Sequence, residues 1–317
     1  GFCPQNGMES QILGTRSVRR NKNRNRIKIV ILVLLLFLGI ALGTYIVYAL
    51  QAEKTPEEPL NRVRTIPKYT HFSIDDATQI FQDIAFHEYE SIFENEVLGK
   101  LRDFHEEYGL KATLYVFGKL DTYDLADFPD TYKTEFEDNA DWLKIGFHSM
   151  TEVDPKDEGV TTKEFAEGIE KVNQEILDFA GEESLAHVLR LHYWYATDEM
   201  VQVLKKEGVE GLLCGNESNS CYNLNKEQAE TLLKSRDGIR PGELSYYVTD
   251  IRLEKTDDIF KALDAHKRDR LVVVFTHAWC FQENADKLET ALGWLAKMGY
   301  EYTFLEKETR VKEVADE

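Results

Sequence analysis

The sequence predicts an α/β chain folded as a distorted (β/α)7–8 barrel, preceded by one N-terminal transmembrane helix. Three observations carry this. From position 69 onward, short strand-like runs alternate with helical patterns that end on glycine; such alternation marks parallel strands joined by crossover helices. Seven or eight of these units fit within about 250 residues, which suits a barrel better than the competing open doubly wound sheet. Residues 29–50 are 22 consecutive positions without a charged side chain, and about 20 apolar residues of helix cross a bilayer.

The elements follow in chain order. Residues 1–28 carry Arg16, Arg19, Arg20, Lys22, Arg24, Arg26 and Lys28 against Glu9, a charge of +6. The 317-residue chain carries −19 in total, so everything beyond position 50 sums to −25. So acidic a body repels phosphate and argues against nucleic acid as a partner. A basic cluster ahead of an apolar span predicts a cytoplasmic N-terminus, with the rest of the chain anchored on the far side of the membrane. A cleavable signal peptide is the alternative, although its apolar region is usually only about 7–15 residues. Residues 51–68 hold three of the seven prolines among charged side chains and read as a linker. A barrel over 69–305 and a charged tail over 306–317 complete the chain.

Strands are expected at 69–75, 111–117, 143–147, 187–191, 209–213, 245–251, 271–276 and 301–304. Helices are expected over 91–109, over 161–181 with a cap-like start at Thr162–Glu164, over 197–208 and over 284–299, each closing on glycine. No GxGxxG or GxxxxGK[ST] pattern supports nucleotide binding. The four cysteines show no CxxC or zinc-finger spacing; Cys214 and Cys221 flank a turn-rich loop and are either a disulfide of an oxidising compartment or two unrelated thiols.

In a barrel of this kind, chemistry gathers where the strands end. The first strand runs into Asp75 and Asp76, "KIGF" into His148, "VLRL" into His192, "YYVT" into Asp250 and "VVVFT" into His277. Three of only eight histidines thus occupy one kind of position. Adjacent carboxylates repel unless a positive charge sits near them. The bland reading of "DDAT" is a helix N-cap, which needs only one acid. The sharper reading pairs carboxylate with imidazole, the ligand set of zinc or a similar divalent ion. Arg190, two residues before His192, should point to the same face and pair with Asp75 or Asp250. The aromatics of "HYWYAT", "HAWCF" and "SYYVT", Tyr193, Trp194 and Trp279 among them, are read either as faces for sugar rings or as core packing.

These short motifs, in this order, resemble the polysaccharide deacetylase superfamily, carbohydrate esterase family four. The family's "TFDDG" corresponds to "FSIDDA", its His-Ser/Thr-x-x-His to "HSMTE", its Arg-x-Pro-Tyr to "RLHYW" and its Leu-x-His loosely to "VFTH". The resemblance implies a divalent metal (zinc, or cobalt, nickel or iron) and removal of acetyl groups from N-acetylated sugars. It implies Asp75 as general base steadied by Arg190, Asp76 and His148 as metal ligands, and His277 as general acid. Tyr193, Trp194, Asp250 and Trp279 are then expected to contact substrate, a glycan or an N-acylated small molecule. The second histidine of the second motif is Glu152 here, the glycine after the two aspartates is Ala77, and His192 replaces the proline. The third ligand is therefore His192, delivered by a rigid strand end, with Glu152 as the alternative. Two other activities compete: an inactive glycan-binding protein on the same scaffold, and a glycosidase using Asp75 with a second carboxylate.

Overall fold

The computed structural model describes residues 67–306 and 312–314, together with scattered positions between 31 and 45. The chain divides into two compact units, Gly1–Thr65 and Ile66–Glu317. In the first, the described residues are helical, with exposed apolar side chains such as Leu34, Leu35, Leu38 and Leu42. The expected span at 29–50 lies largely outside the described residues. Among the described residues no helix is long and apolar enough to cross a membrane.

The second unit is built on parallel strands. They are β1 (Lys68–Asp75), β2 (Ala112–Phe117), β3 (Leu143–Ser149), β4 (Val188–Leu189), β5 (Gly211–Cys214), β6 (Ile239–Pro241), β7 (Ser245–Val248), β8 (Ile251–Arg252), β9 (Leu271–His277), β10 (Tyr300–Tyr302) and β11 (Lys312–Val314). One sheet has the order β8-β9-β1-β2-β3, with β10 beside the start of β1. The other has the order β11-β6-β7-β5-β4, in which only β6 and β7 are antiparallel. The sheets meet at two seams. At one, Ala186 N donates to Ile145 O at 2.8 Å. At the other, Thr249 N bonds Cys214 O and the next amide, Asp250 N, bonds Val273 O. Pairing therefore runs in chain order through β1, β2, β3, β4, β5 and β7; the chain itself crosses at Thr249–Asp250 into β8, which pairs through β9 back to β1, a barrel-like closure.

The sequence explains most of these elements. β2 (ATLYVF) is buried at every position and β9 (LVVVFTH) at all but the last, as expected for strands covered on both faces. The helix Glu96–Tyr108 starts on Asn95, whose side chain accepts from Val97 N and Leu98 N, and stops at Gly109 with φ +69°. The helix Thr162–Ala180 opens with a reciprocal capping box between Thr161 and Glu164, so the cap stands one residue earlier than expected, where the Thr161 hydroxyl can reach the amide three residues on.

Other expectations are corrected. The run 187–191 narrows to two strand residues, and 245–251 splits where the chain crosses from one sheet to the other. Lys312–Val314, expected in a charged tail, pairs with Ile239–Pro241; a sheet edge recruits polar backbone that no apolar pattern announces. Cys214 and Cys221 are buried free thiols.

Candidate metal centre at the strand ends

Parallel register places Asp75 of β1 directly beside His277 of β9, so the ends of β1, β3 and β9 face one side. Neither aspartate caps a helix. Asp75 is the last strand residue, and the helix Thr78–His87 has Ala77 as its N-cap with no side-chain cap bond. Asp76 lies between them with φ +55°, a left-handed conformation uncommon outside glycine but tolerated by aspartate. The turn is held from behind. Ala77 N donates to Tyr115 O at 2.9 Å, the Thr78 hydroxyl donates to Phe117 O at 3.0 Å, and Phe117 N donates back to it at 2.7 Å. Ala77 itself has φ −76°, so alanine fits where the related motif has glycine.

Asp76, His148 and His192 converge. His148 Nε2 is 3.4 Å from Asp76 Oδ1, His192 Nδ1 is 3.9 Å from the same oxygen, and the two ring nitrogens are 3.1 Å apart. The far nitrogens set the tautomers. His148 Nδ1 lies 2.5 Å from Arg190 O, and His192 Nε2 lies 2.8 Å from Glu152 O. A carbonyl only accepts, so both far nitrogens carry protons; in the neutral form of each ring the near nitrogen then aims its lone pair at the other ring and at the carboxylate. Asp76 Oδ1 is buried without a hydrogen-bond partner among the described residues, while Oδ2 accepts from Trp279 Nε1 at 3.1 Å. Such an orphaned oxygen facing two imidazole lone pairs is costly unless a cation joins them. Ligands on a tetrahedral ion bound at about 2.0–2.1 Å lie about 3.3 Å apart, close to the observed separations. The donor set thus fits a divalent ion. Burial alone pushes the Asp76 carboxyl up; protonation of the adjacent His148, His277 or His192 would outweigh it and hold the carboxyl below its ordinary range. Burial and the neighbouring His148 pull His192 down, which keeps the ring neutral for ligation.

Arg190 follows β4 and turns inward, 1% exposed. Its guanidinium donates to Asp75 Oδ1 at 2.9 Å, Ser73 Oγ at 2.8 Å and Thr249 Oγ1 at 3.0 Å, and lies 4.0 Å from the Phe275 ring centre. Asp75 is therefore a buried carboxylate with a fixed cationic partner.

His277 carries a partner that the sequence did not reveal. Glu254 Oε1 lies 2.6 Å from His277 Nδ1, and the same carboxylate accepts from Arg252 Nε and the Thr276 hydroxyl. Burial pushes Glu254 up, but the His277 and Arg252 contacts prevail and bring it down to about 2. With Nδ1–H held by Glu254, Nε2 is the nitrogen left for exchange with a ligand.

The remaining expected residues divide. Tyr193 is 56% exposed beside His192, with ring centres 4.5 Å apart, and Trp279 is 59% exposed beside His277 at 5.3 Å. Tyr193 and Trp194 have φ +54° and +51°, two successive left-handed aromatic residues that present Tyr193 to solvent. Trp194 instead packs against Gly215 and is partly buried. Asp250 does not join the site. Its fully buried carboxylate accepts from Arg236 and from Val273 N, bracing the seam where the chain changes sheets, four residues back along β9 from His277. Glu152 offers its backbone carbonyl, not its carboxylate, to His192. A second donor group, Asp250, His266 and Asp269, already has Arg236 on Asp250 Oδ1.

No family model matches the chain, and no curated protein matches it. Among solved structures it is similar to the 4-alpha-glucanotransferase from Thermococcus litoralis, at 13% identity and TM-score 0.49, over 78% of this chain and 42% of that one. It is similar to a family 4 carbohydrate esterase from Streptomyces lividans in complex with acetate, at 13% identity and TM-score 0.38, over 77% and 98% of the two chains. A third is a candidate polysaccharide deacetylase involved in O-antigen biosynthesis from Bordetella bronchiseptica, at 14% identity and TM-score 0.33, over 70% and 79%. The chain thus spans less than half of the glucanotransferase.

Proposed function

We propose that this chain is a metal-dependent hydrolase that removes an N-acyl group, acetyl in the simplest case, from a glycan. The observation that carries the metal is the partnerless Asp76 Oδ1 facing the lone pairs of His148 and His192. Asp76, His148 and His192 would hold the ion, zinc by donor type, with cobalt, nickel and iron as alternatives. A bound divalent ion supplies Lewis acidity toward a carbonyl and lowers the pKa of water.

The other roles belong to the chain's own side chains. Asp75, held by Arg190, accepts the proton of the attacking water. His277, oriented by Glu254, donates a proton to the departing amine. Such proton transfers contribute typically 10²–10⁴-fold each. Tyr193 and Trp279 flank the two histidines and offer faces to a sugar ring. The choice of an N-acylated sugar rests on the motif resemblance and on these exposed rings. Placement beyond a membrane rests on the apolar stretch 29–50 and its basic flank.

The test is acetate release from N-acetylated oligosaccharides by the purified chain, with and without a chelator. Activity lost on chelation and restored by zinc supports the reading. Chelator-insensitive release contradicts the ion's role, and a new reducing end without acetate points to glycosidase chemistry.

A further inference from the structure

Cys214 and Cys221 are free thiols in this structure, yet they are not unrelated. Cys214 ends β5, and Cys221 follows the 3₁₀ turn Ser218–Ser220. Residues 216–219 between them lie on the surface, whereas both cysteines are buried. Gly215 N donates to Ser220 O at 2.8 Å. That bond closes the loop and sets its flanking residues across from one another, and the two thiols hydrogen-bond each other. Cys221 Sγ also donates to Glu217 O at 3.3 Å. Thiols that touch across a closed loop have the proximity a disulfide needs. The other buried thiol among the described residues, Cys280, instead meets oxygens, the Thr276 hydroxyl at 3.6 Å and His277 O at 3.5 Å.

The loop also touches the candidate metal centre. The Tyr222 hydroxyl donates to Leu213 O at 2.9 Å and accepts from Leu191 N at 3.1 Å, and Leu191 precedes His192. Leu213 and Tyr222 stand immediately outside the two cysteines, so the brace on the His192 turn and the thiol pair share one short segment.

We propose that Cys214 and Cys221 are a thiol–disulfide pair that takes a small disulfide as oxidant and, once bridged, locks the loop behind the turn 191–195. The Cys221 thiolate attacks one sulfur of the small disulfide, whose S–S bond breaks and releases a thiolate that takes up the Cys221 proton. Cys214 then loses its proton and attacks the Cys221 sulfur of the mixed disulfide, releasing the second thiol. Two electrons and two protons pass from the chain to the small disulfide, which leaves as two thiols. Cys221 is the first nucleophile because it borders the surface loop, and because its contact with Cys214 draws its thiol down while burial pushes the Cys214 thiol well up. Neither step uses the metal or the hydrolase reading.

The experiment is incubation of the reduced full chain with excess hydroxyethyl disulfide, then non-reducing peptide mapping and hydrogen-exchange mass spectrometry. The expected result is a Cys214–Cys221 link, Cys280 still alkylated as a thiol after unfolding, and about tenfold slower amide exchange over 189–195 and 215–222. A Cys214→Ser chain with wild-type circular dichroism should stop after the first step and keep the reagent on Cys221. Both cysteines recovered as thiols from the wild type, a link through Cys280, or a bridge that leaves exchange over 189–195 unchanged would overturn the inference. A folded Cys214→Ser chain with no reagent on Cys221 would overturn it as well. Acetate release is measured separately, so failure of the pair leaves the hydrolase proposal standing, and failure of that proposal leaves the pair.

Discussion

His148 Nε2 and His192 Nδ1 stand 3.1 Å apart although each ring gives its other N–H to a backbone carbonyl. Two neutral imidazoles in those tautomers repel. A shared proton or a cation reconciles them, and the partnerless Asp76 Oδ1 beside them favours the cation.

Glu152 tests which part of that residue matters. Its carbonyl orients His192, and any residue supplies a carbonyl. Glu152→Ala should change zinc affinity and acetate release by less than about twofold, the usual range for a surface side chain. A loss of zinc affinity beyond tenfold would instead make its carboxylate a ligand.

Trp279 acts on Asp76 through its indole N–H. Trp279→Phe keeps a ring and removes that donor. Zinc affinity should fall about 10-fold or more, the usual cost of an outer-shell partner; calorimetric zinc titration checks it.

Asp75 supports the fold as well as the chemistry. Asp75→Ala strands the buried Arg190 charge and should cost about 3–5 kcal/mol in urea unfolding. Asp75→Asn keeps an acceptor, so it should unfold at a higher urea concentration than Asp75→Ala while losing acetate release as fully. Equal activity in Asp75→Asn and wild type would remove Asp75 as the base.

Glu254 gives the pH dependence. Its carboxyl is held down to about 2 in the folded chain, against an ordinary 4.5. The stability it contributes is therefore fully present above about pH 4.5 and is lost as pH falls through about 2. Glu254→Gln should flatten that acid limb of an unfolding curve. It should also lower kcat by about 10²-fold with little change in KM, because His277 loses its orienting partner.

How much of this was legible follows from how each residue is placed. Asp75, Asp76, His148 and His277 were readable because they end long apolar runs in β1, β3 and β9, where strand periodicity is clear. His192 joins the site without the long strand that its apolar run suggests. It follows a strand of only two residues and sits in a short 3₁₀ turn, and no propensity announces the left-handed Tyr193 and Trp194 after it. Glu254 left no signal. It lies in a 3₁₀ turn just beyond β8, and only the pairing of β8 with β9 brings it to His277. Asp250 misled because "SYYVTDI" reads as one strand, whereas the chain changes sheets at that residue and buries it against Arg236.

Zinc titration of the metal-stripped full chain, wild type against Asp76→Ala and His192→Ala, decides whether Asp76, His148 and His192 form a metal site. An ion shared by Asp76, His148 and His192 gives one tight site per wild-type chain and loss of that site in both variants, with any weak binding at Asp250, His266 and Asp269 unchanged. Tight binding of equal stoichiometry and affinity in all three proteins would contradict it.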